Sequence, residues 1–77
     1  MKITYHKQSD LLYIEFTNQP VETDQPAGNW SNVSLDAKGG VQSIEIVNAS
    51  KYGISLNDLQ IEIIEAEPAT PAIEVQP

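Results

Sequence analysis

The chain has 77 residues, a net charge of −7 and no cysteine. That length holds a single domain near the lower limit at which one core outweighs the entropy of folding. The missing cysteine excludes disulfides, thiolate metal centres and cysteine nucleophiles, while four lysines without an arginine argue against binding to nucleic-acid phosphates.

The apolar fraction of 40% is enough for a folded core. The apolar runs, such as Leu11 to Ile14, fall far below the ~20 residues that span a bilayer. No membrane helix is therefore expected. The opening MKITYHKQSD turns polar too early for a secretory signal, so the expected compartment is the cytoplasm. The three Asn-x-Ser sequences at Asn29, Asn32 and Asn48 read as chance in that setting.

KITY, with Ile3 and Tyr5 on one face, and LLYIEFT, with Leu12, Ile14 and Phe16 on one face, read as two strands of an opening hairpin turned by HKQSD. A weak strand over Val21 to Asp24 follows TNQP, and QPAGN then reads as a loop. SNVSLD and VQSIEIV form a second hairpin, with Val33, Leu35, Ile44 and Ile46 inward and Asn32, Ser34, Ser43 and Glu45 outward. Its connection DAKGG has an aspartate opening a type I turn and a glycine three positions later, where the return strand needs a positive φ.

Beyond Ser55, a serine followed three residues later by an acid, with Leu56, Leu59 and Ile63 at helical spacing, favours a short helix over Leu56 to Ile64. The alternating, isoleucine-rich QIEII favours a strand instead. EAEPATPAIEVQP, rich in proline and glutamate, reads as a flexible tail. The expected fold is α+β and mainly β: a small antiparallel sheet of hairpins with a short C-terminal helix, all-β being the alternative. Residues 1–65 would form the domain and residues 66–77 the acidic tail.

Few residues suggest chemistry. His6 is the only histidine, and Asp10 could orient it, but both fall in a turn with no second histidine to complete a metal set. Glu15 and Glu45 lie mid-strand on the polar face, where neighbouring strands could pair them as acid and base; charges on an exposed sheet face are the plainer reading. Trp30, beside Gly28 and Asn29, could anchor a partner or cap the edge of a small core. Asn48, Ser50 and Lys51 read as turn formers that bond their own backbone. No catalytic residue, metal site or cofactor follows from any of them.

The two segments KITYHKQSDLLYIEF and NVSLDAKGGVQSIEIVNASK, in that order, resemble the DUF2283 family of small prokaryotic domains over residues 1–51. Members open on K-I-x-Y, an acidic turn and L-Y-I, and close on D-x-x-G, I-E-I and N/D-A-S. His6 and Lys7 depart from the usual Asp-Pro, and Ser43 stands where glycine commonly precedes I-E-I. The resemblance implies a compact sheet-based domain with no established activity, some members looking like partners of small toxin-like proteins. It assigns no catalytic role to Glu45, Asn48 or Ser50.

Charge adds one expectation about partners. Residues 1–51 carry four lysines and six acids, whereas residues 52–77 carry five acids and no base. An acidic segment of this kind fits a non-catalytic module that engages a basic protein, as an antitoxin does. The rival is a small ligand-binding or hydrolytic domain using Glu15, Glu45 and His6 at a dimer interface. Exposed edge strands in so small a sheet favour a homodimer.

Overall fold

The computed structural model describes residues 1–66, which form five strands: β1 (Lys2–His6), β2 (Leu11–Glu15), β3 (Thr23–Pro26), β4 (Ser31–Leu35) and β5 (Val41–Val47). They make one antiparallel sheet in the order β1-β2-β5-β4-β3. β3, β4 and β5 form a meander, and the chain from β2 crosses the end of that meander to start β3. β2 thereby lies beside β5 in a Greek-key arrangement. The element order joins the two expected hairpins at the β2–β5 pair.

Each turn follows from its residues. In the β4–β5 connection Gly39 N–H donates to Asp36 C=O at 3.0 Å, and the Asp36 carboxylate accepts from the N–H groups of Lys38 and Gly40, each at 2.9 Å. Gly39 has φ +84°, the conformation that an L side chain resists. β3 spans Thr23–Pro26, where the sequence suggested Val21 to Asp24, because Thr23 falls opposite Leu35 and Pro26 opposite Asn32. β3 is the outermost strand, so the missing proline N–H costs no ladder bond.

The register sorts the side chains sharply. Ile3, Ile14, Ile44 and Val33 lie in one row across the sheet, with Tyr5, Leu12 and Ile46 in the next. These expected core residues share one face, which Leu35 extends. Lys2, His6, Glu15, Glu45 and Asp24 fall on the other face, so every charged or imidazole side chain of the strands lies on one side. Among the described residues only Leu12 and Ala49 are buried apolar residues; Ile3 and Phe16 are 37% and 40% exposed. The fold is a single layer.

One expectation needs correction. No helix forms over Leu56 to Ile64: residues 56–58 bend and turn, and residues 59–65 have no regular element. A nine-residue helix needs tertiary packing to persist, but Leu59 and Ile63 are 59% and 79% exposed and meet no receiving surface. The described residues are therefore mainly β. Ser43 lies on the outward, charged face as expected, yet is only 1% exposed, because β5 is the central strand and the small side chain sits between Glu15 of β2 and Ser34 of β4. The expected tail, apart from Ala66, lies outside the described residues.

A kink in β5 accommodates this crowding. Ser34 pairs with Ser43 but Leu35 pairs with Val41, which leaves Gln42 as the extra residue of a β-bulge. Its side-chain amide nitrogen donates to the Thr17 carbonyl at 3.1 Å and its backbone carbonyl accepts Phe16 N–H at 2.8 Å, so the bulge holds the start of the β2–β3 crossing. Ser43 Oγ has no hydrogen-bond partner. Because an unpaired buried hydroxyl costs ~1–3 kcal/mol, Ser43→Ala is expected to raise stability by about 1 kcal/mol, read as a higher urea midpoint at unchanged slope. A lower midpoint would show that the hydroxyl is bonded in solution.

Candidate functional site

The densest polar cluster lies at one end of the sheet, where the β1–β2 turn meets the chain leaving β5. Leu11 pairs with Val47, so Asp10 and Asn48 continue the two strands side by side. Both take a positive φ, +56° and +55°, as aspartate and asparagine tolerate better than most residues. Asp10 C=O accepts Ala49 N–H at 3.1 Å, and the Ala49 carbonyl accepts Ile54 N–H at 3.1 Å. Ala49 is fully buried within this turn.

The Asp10 carboxylate is the hub. Its Oδ1 accepts from Tyr5 Oη at 2.6 Å and from Ser50 N–H at 3.0 Å, while Oδ2 accepts Ser50 Oγ–H at 2.9 Å. The Tyr5 hydroxyl is the main reason the Asp10 carboxyl is held below its usual value, with the Ser50 N–H adding to it and partial desolvation opposing it. The same bond to Asp10, with desolvation, raises the Tyr5 phenol. Asn48 thus supplies a left-handed corner, Ala49 a side chain small enough to bury, and Ser50 two donors for Asp10.

This arrangement closes the fold and supplies little chemistry. A serine nucleophile needs a base that withdraws its proton, whereas the carboxylate that accepts from Ser50 is already made a weaker base by two other donors. His6 points to the face opposite Tyr5 and does not meet Asp10. The pairing considered from the sequence, His6 with Asp10, is replaced by Tyr5 with Asp10 and Ser50. Ser50 bonds a residue 40 positions away, where the sequence suggested its own backbone. The clue available was the position of Asp10 immediately before one strand and of Asn-Ala-Ser immediately after another, but it becomes readable only once β2 is known to pair with β5.

Beside the hub is an open cavity of about 530 Å³ lined by Tyr5, Lys7, Ser50, Gly53, Ile54 and Leu56, among others. Trp30 stacks on Tyr52, with ring centroids 4.4 Å apart and planes 11° apart. Its carbonyl accepts Val47 N–H at 3.0 Å, so the half-buried indole ties the β3–β4 loop to the chain beyond β5.

Glu15 lies opposite Ser43, and Glu45 opposite Tyr13, which makes the two glutamates a diagonal pair on adjacent strands of the polar face. Such diagonals have Cα atoms ~7–8 Å apart. They line separate clefts: Glu45 with Trp30, Asn32 and Val47, and Glu15 with Lys2 and Thr17. His6, opposite Leu11, is at the other end of β1 from the strand position facing Glu15. The three residues are thus on one face without a common cleft. Among the described residues no group of three or more histidines and acids is placed to hold a metal ion, and no helix is long and apolar enough to cross a membrane.

No curated protein and no solved structure matches the chain. A family model described as a protein of unknown function, DUF2283, matches residues 2–50. The matched region begins with β1 and ends at Ser50, whose side chain makes the closing contact with Asp10. It contains all five strands and both Tyr5 and Ser50, which donate to the Asp10 carboxylate. The chain accordingly belongs to the DUF2283 family.

Proposed function

We propose that this protein is a non-catalytic protein–protein interaction module whose acidic C-terminal part engages a basic partner, as an antitoxin engages its toxin. The observation that carries the reading is the distribution of charge: the sequence after Lys51 has five acids and no base, and Asp58, Glu62 and Glu65 are all exposed. Such a segment attracts a basic surface and speeds encounter with it. The employment of Asp10, Tyr5 and Ser50 in closing the turn supports the non-catalytic half of the reading.

The test compares the full chain with a variant in which Asp58, Glu62, Glu65, Glu67 and Glu74 are replaced by their amides. Each is used to capture partners from the native cell lysate, and the captured protein is then purified for titration. A stoichiometric basic protein is expected, bound at least about tenfold more weakly by the amide variant and more weakly as salt rises. Equal affinity for the two chains, or capture of no protein but the bait, overturns the proposal.

A further inference from the structure

The sheet is one layer thick, with one of its faces apolar and uncharged. At the register positions of that face stand Ile3 and Tyr5, Ile14, Ile44 and Ile46, Val33 and Leu35 around the already buried Leu12, with Ser31, Thr23 and Gln25 at one margin. The only ionisable group among them is the Tyr5 phenol, which is already bonded to Asp10. Sheets with one apolar face bury it against a second layer, and the described residues contain none. We infer that the second layer is another copy of this chain, packed face to face across a two-fold axis.

Three observations select that occupant. The first is size: five strands at ~4.8 Å spacing and five residues at ~3.3 Å give a face of roughly 24 by 17 Å. A single extended segment such as Leu59–Ile64 covers the width of one or two strands, whereas a second sheet at ~10 Å covers all five. The second is charge. A chain of net charge −7 repels its own copy through most surfaces, and the apolar face is the side of the sheet from which every charged strand residue is absent.

The third is area. The flat face of roughly 400 Å² is about half the ~800 Å² per partner of a standard interface. The remainder is at hand: Leu59, Ile61, Ile63 and Ile64 are 59%, 71%, 79% and 61% exposed, and each aliphatic side chain adds ~60–120 Å² when covered. Ile54 and Leu56, through which the chain leaves its last turn, line a cavity with Tyr5 of the apolar face, and the exposed aliphatic side chains follow directly in sequence. In this dimer Glu15, Glu45 and His6 lie on the outer faces.

Sedimentation equilibrium of the full chain is the first measurement, with a dimer in the micromolar range expected. A mixed sample, one half isotope-labelled, is then examined by isotope-filtered NMR, and intermolecular contacts are expected between the methyl groups of Ile14, Ile44, Ile46 and Val33. Ile44→Glu is expected to weaken the dimer at least about 100-fold, since it would bury a charge. Because Ile44 is central and its replacement can unfold the chain, Ile3→Glu at the sheet margin serves as the second variant, with a smaller loss at unchanged circular dichroism.

A monomer at all concentrations overturns the inference. So does a dimer whose intermolecular contacts come only from the outer edges of β1 or β3, or only from Leu59–Ile64. A monomer that dimerises once the chain is ended at Asp58 would show that the face is covered by its own C-terminal segment, and it overturns the inference as well. The dimer is measured on the full chain and its Ile44 and Ile3 variants, and the basic partner on the amide variant, so either proposal can fail without the other.

Discussion

Leu12→Ala is expected to remove about 2–5 kcal/mol of stability, the range for emptying a buried leucine site. Leu12 is 3% exposed and is the only large apolar side chain fully buried among the described residues. It sits on β2 between Tyr5 of β1 and Ile46 of β5, so it joins the first hairpin to the meander. A chain of 77 residues has roughly 4–12 kcal/mol in total, and a one-layer sheet belongs at the lower end. Urea unfolding followed by circular dichroism should find the variant largely unfolded or with its midpoint near zero denaturant. A shift below about 1 kcal/mol would mean that stability resides elsewhere, and Ile14→Ala, on the same face in the adjacent row, would then be the informative comparison.

Asp10→Asn is expected to lower the melting temperature at neutral pH and to flatten the acid limb of the stability profile. The bond from Tyr5 Oη to Asp10 is strongest with a protonated phenol and an ionised carboxylate. The Asp10 carboxyl is held below its ordinary value of 3.8 in the folded state. Its contribution is therefore present above that value and is lost as pH falls through the lower, folded one. The Tyr5 phenol is raised above 10.0, so its contribution is present below pH 10.0 and is lost as pH rises through the folded value. Stability from this pair is flat in between.

Thermal unfolding at pH 7 and at pH 3 and below, for both chains, provides the check. The gap between parent and variant should be widest at pH 7 and narrow in acid, where the parent loses the same charge. Tyr5→Phe should remove the alkaline loss. A gap that stays constant with pH would sink the assignment of Asp10 as an ionised hub. Should Asp10→Asn fail to fold, Ser50→Ala withdraws one of the donors and leaves the carboxylate in place.

The family assignment gains physical content from these contacts. Within the match at residues 2–50, Tyr5, Asp10, Ala49 and Ser50 come from opposite ends of the segment and meet at one corner. They supply the tie that β2 and β5, separated by the whole meander, need in order to close. Outside the match lie Tyr52, whose ring stacks on Trp30 within it, and the exposed aliphatic and acidic side chains from Asp58 to Glu65.

Four of the five strands, the face their apolar residues share and the Asp36–Gly39 turn could be read from the amino-acid sequence, because each depends on neighbours within a few positions; the third strand is shifted from the expected 21–24 to Thr23–Pro26 by its pairing with β4. Alternation places Leu12 and Ile14 on one face wherever the strand ends up, and a glycine at Gly39 meets a local conformational need. Where long-range pairing decided, local pattern was silent or misleading. Alternation put Ser43 on the outward face, where the register keeps it, but only the central place of β5 shows that it is buried there. Leu56 to Ile64 carried a helical stripe, but a stripe becomes a helix only against a surface, and none receives it. Asp10 and Ser50 looked like two separate turn formers until the pairing of Leu11 with Val47 brought them together. Local sequence determined the pieces and their faces; tertiary structure decided which pieces are neighbours, because strand order is set by contacts that no short stretch of chain contains.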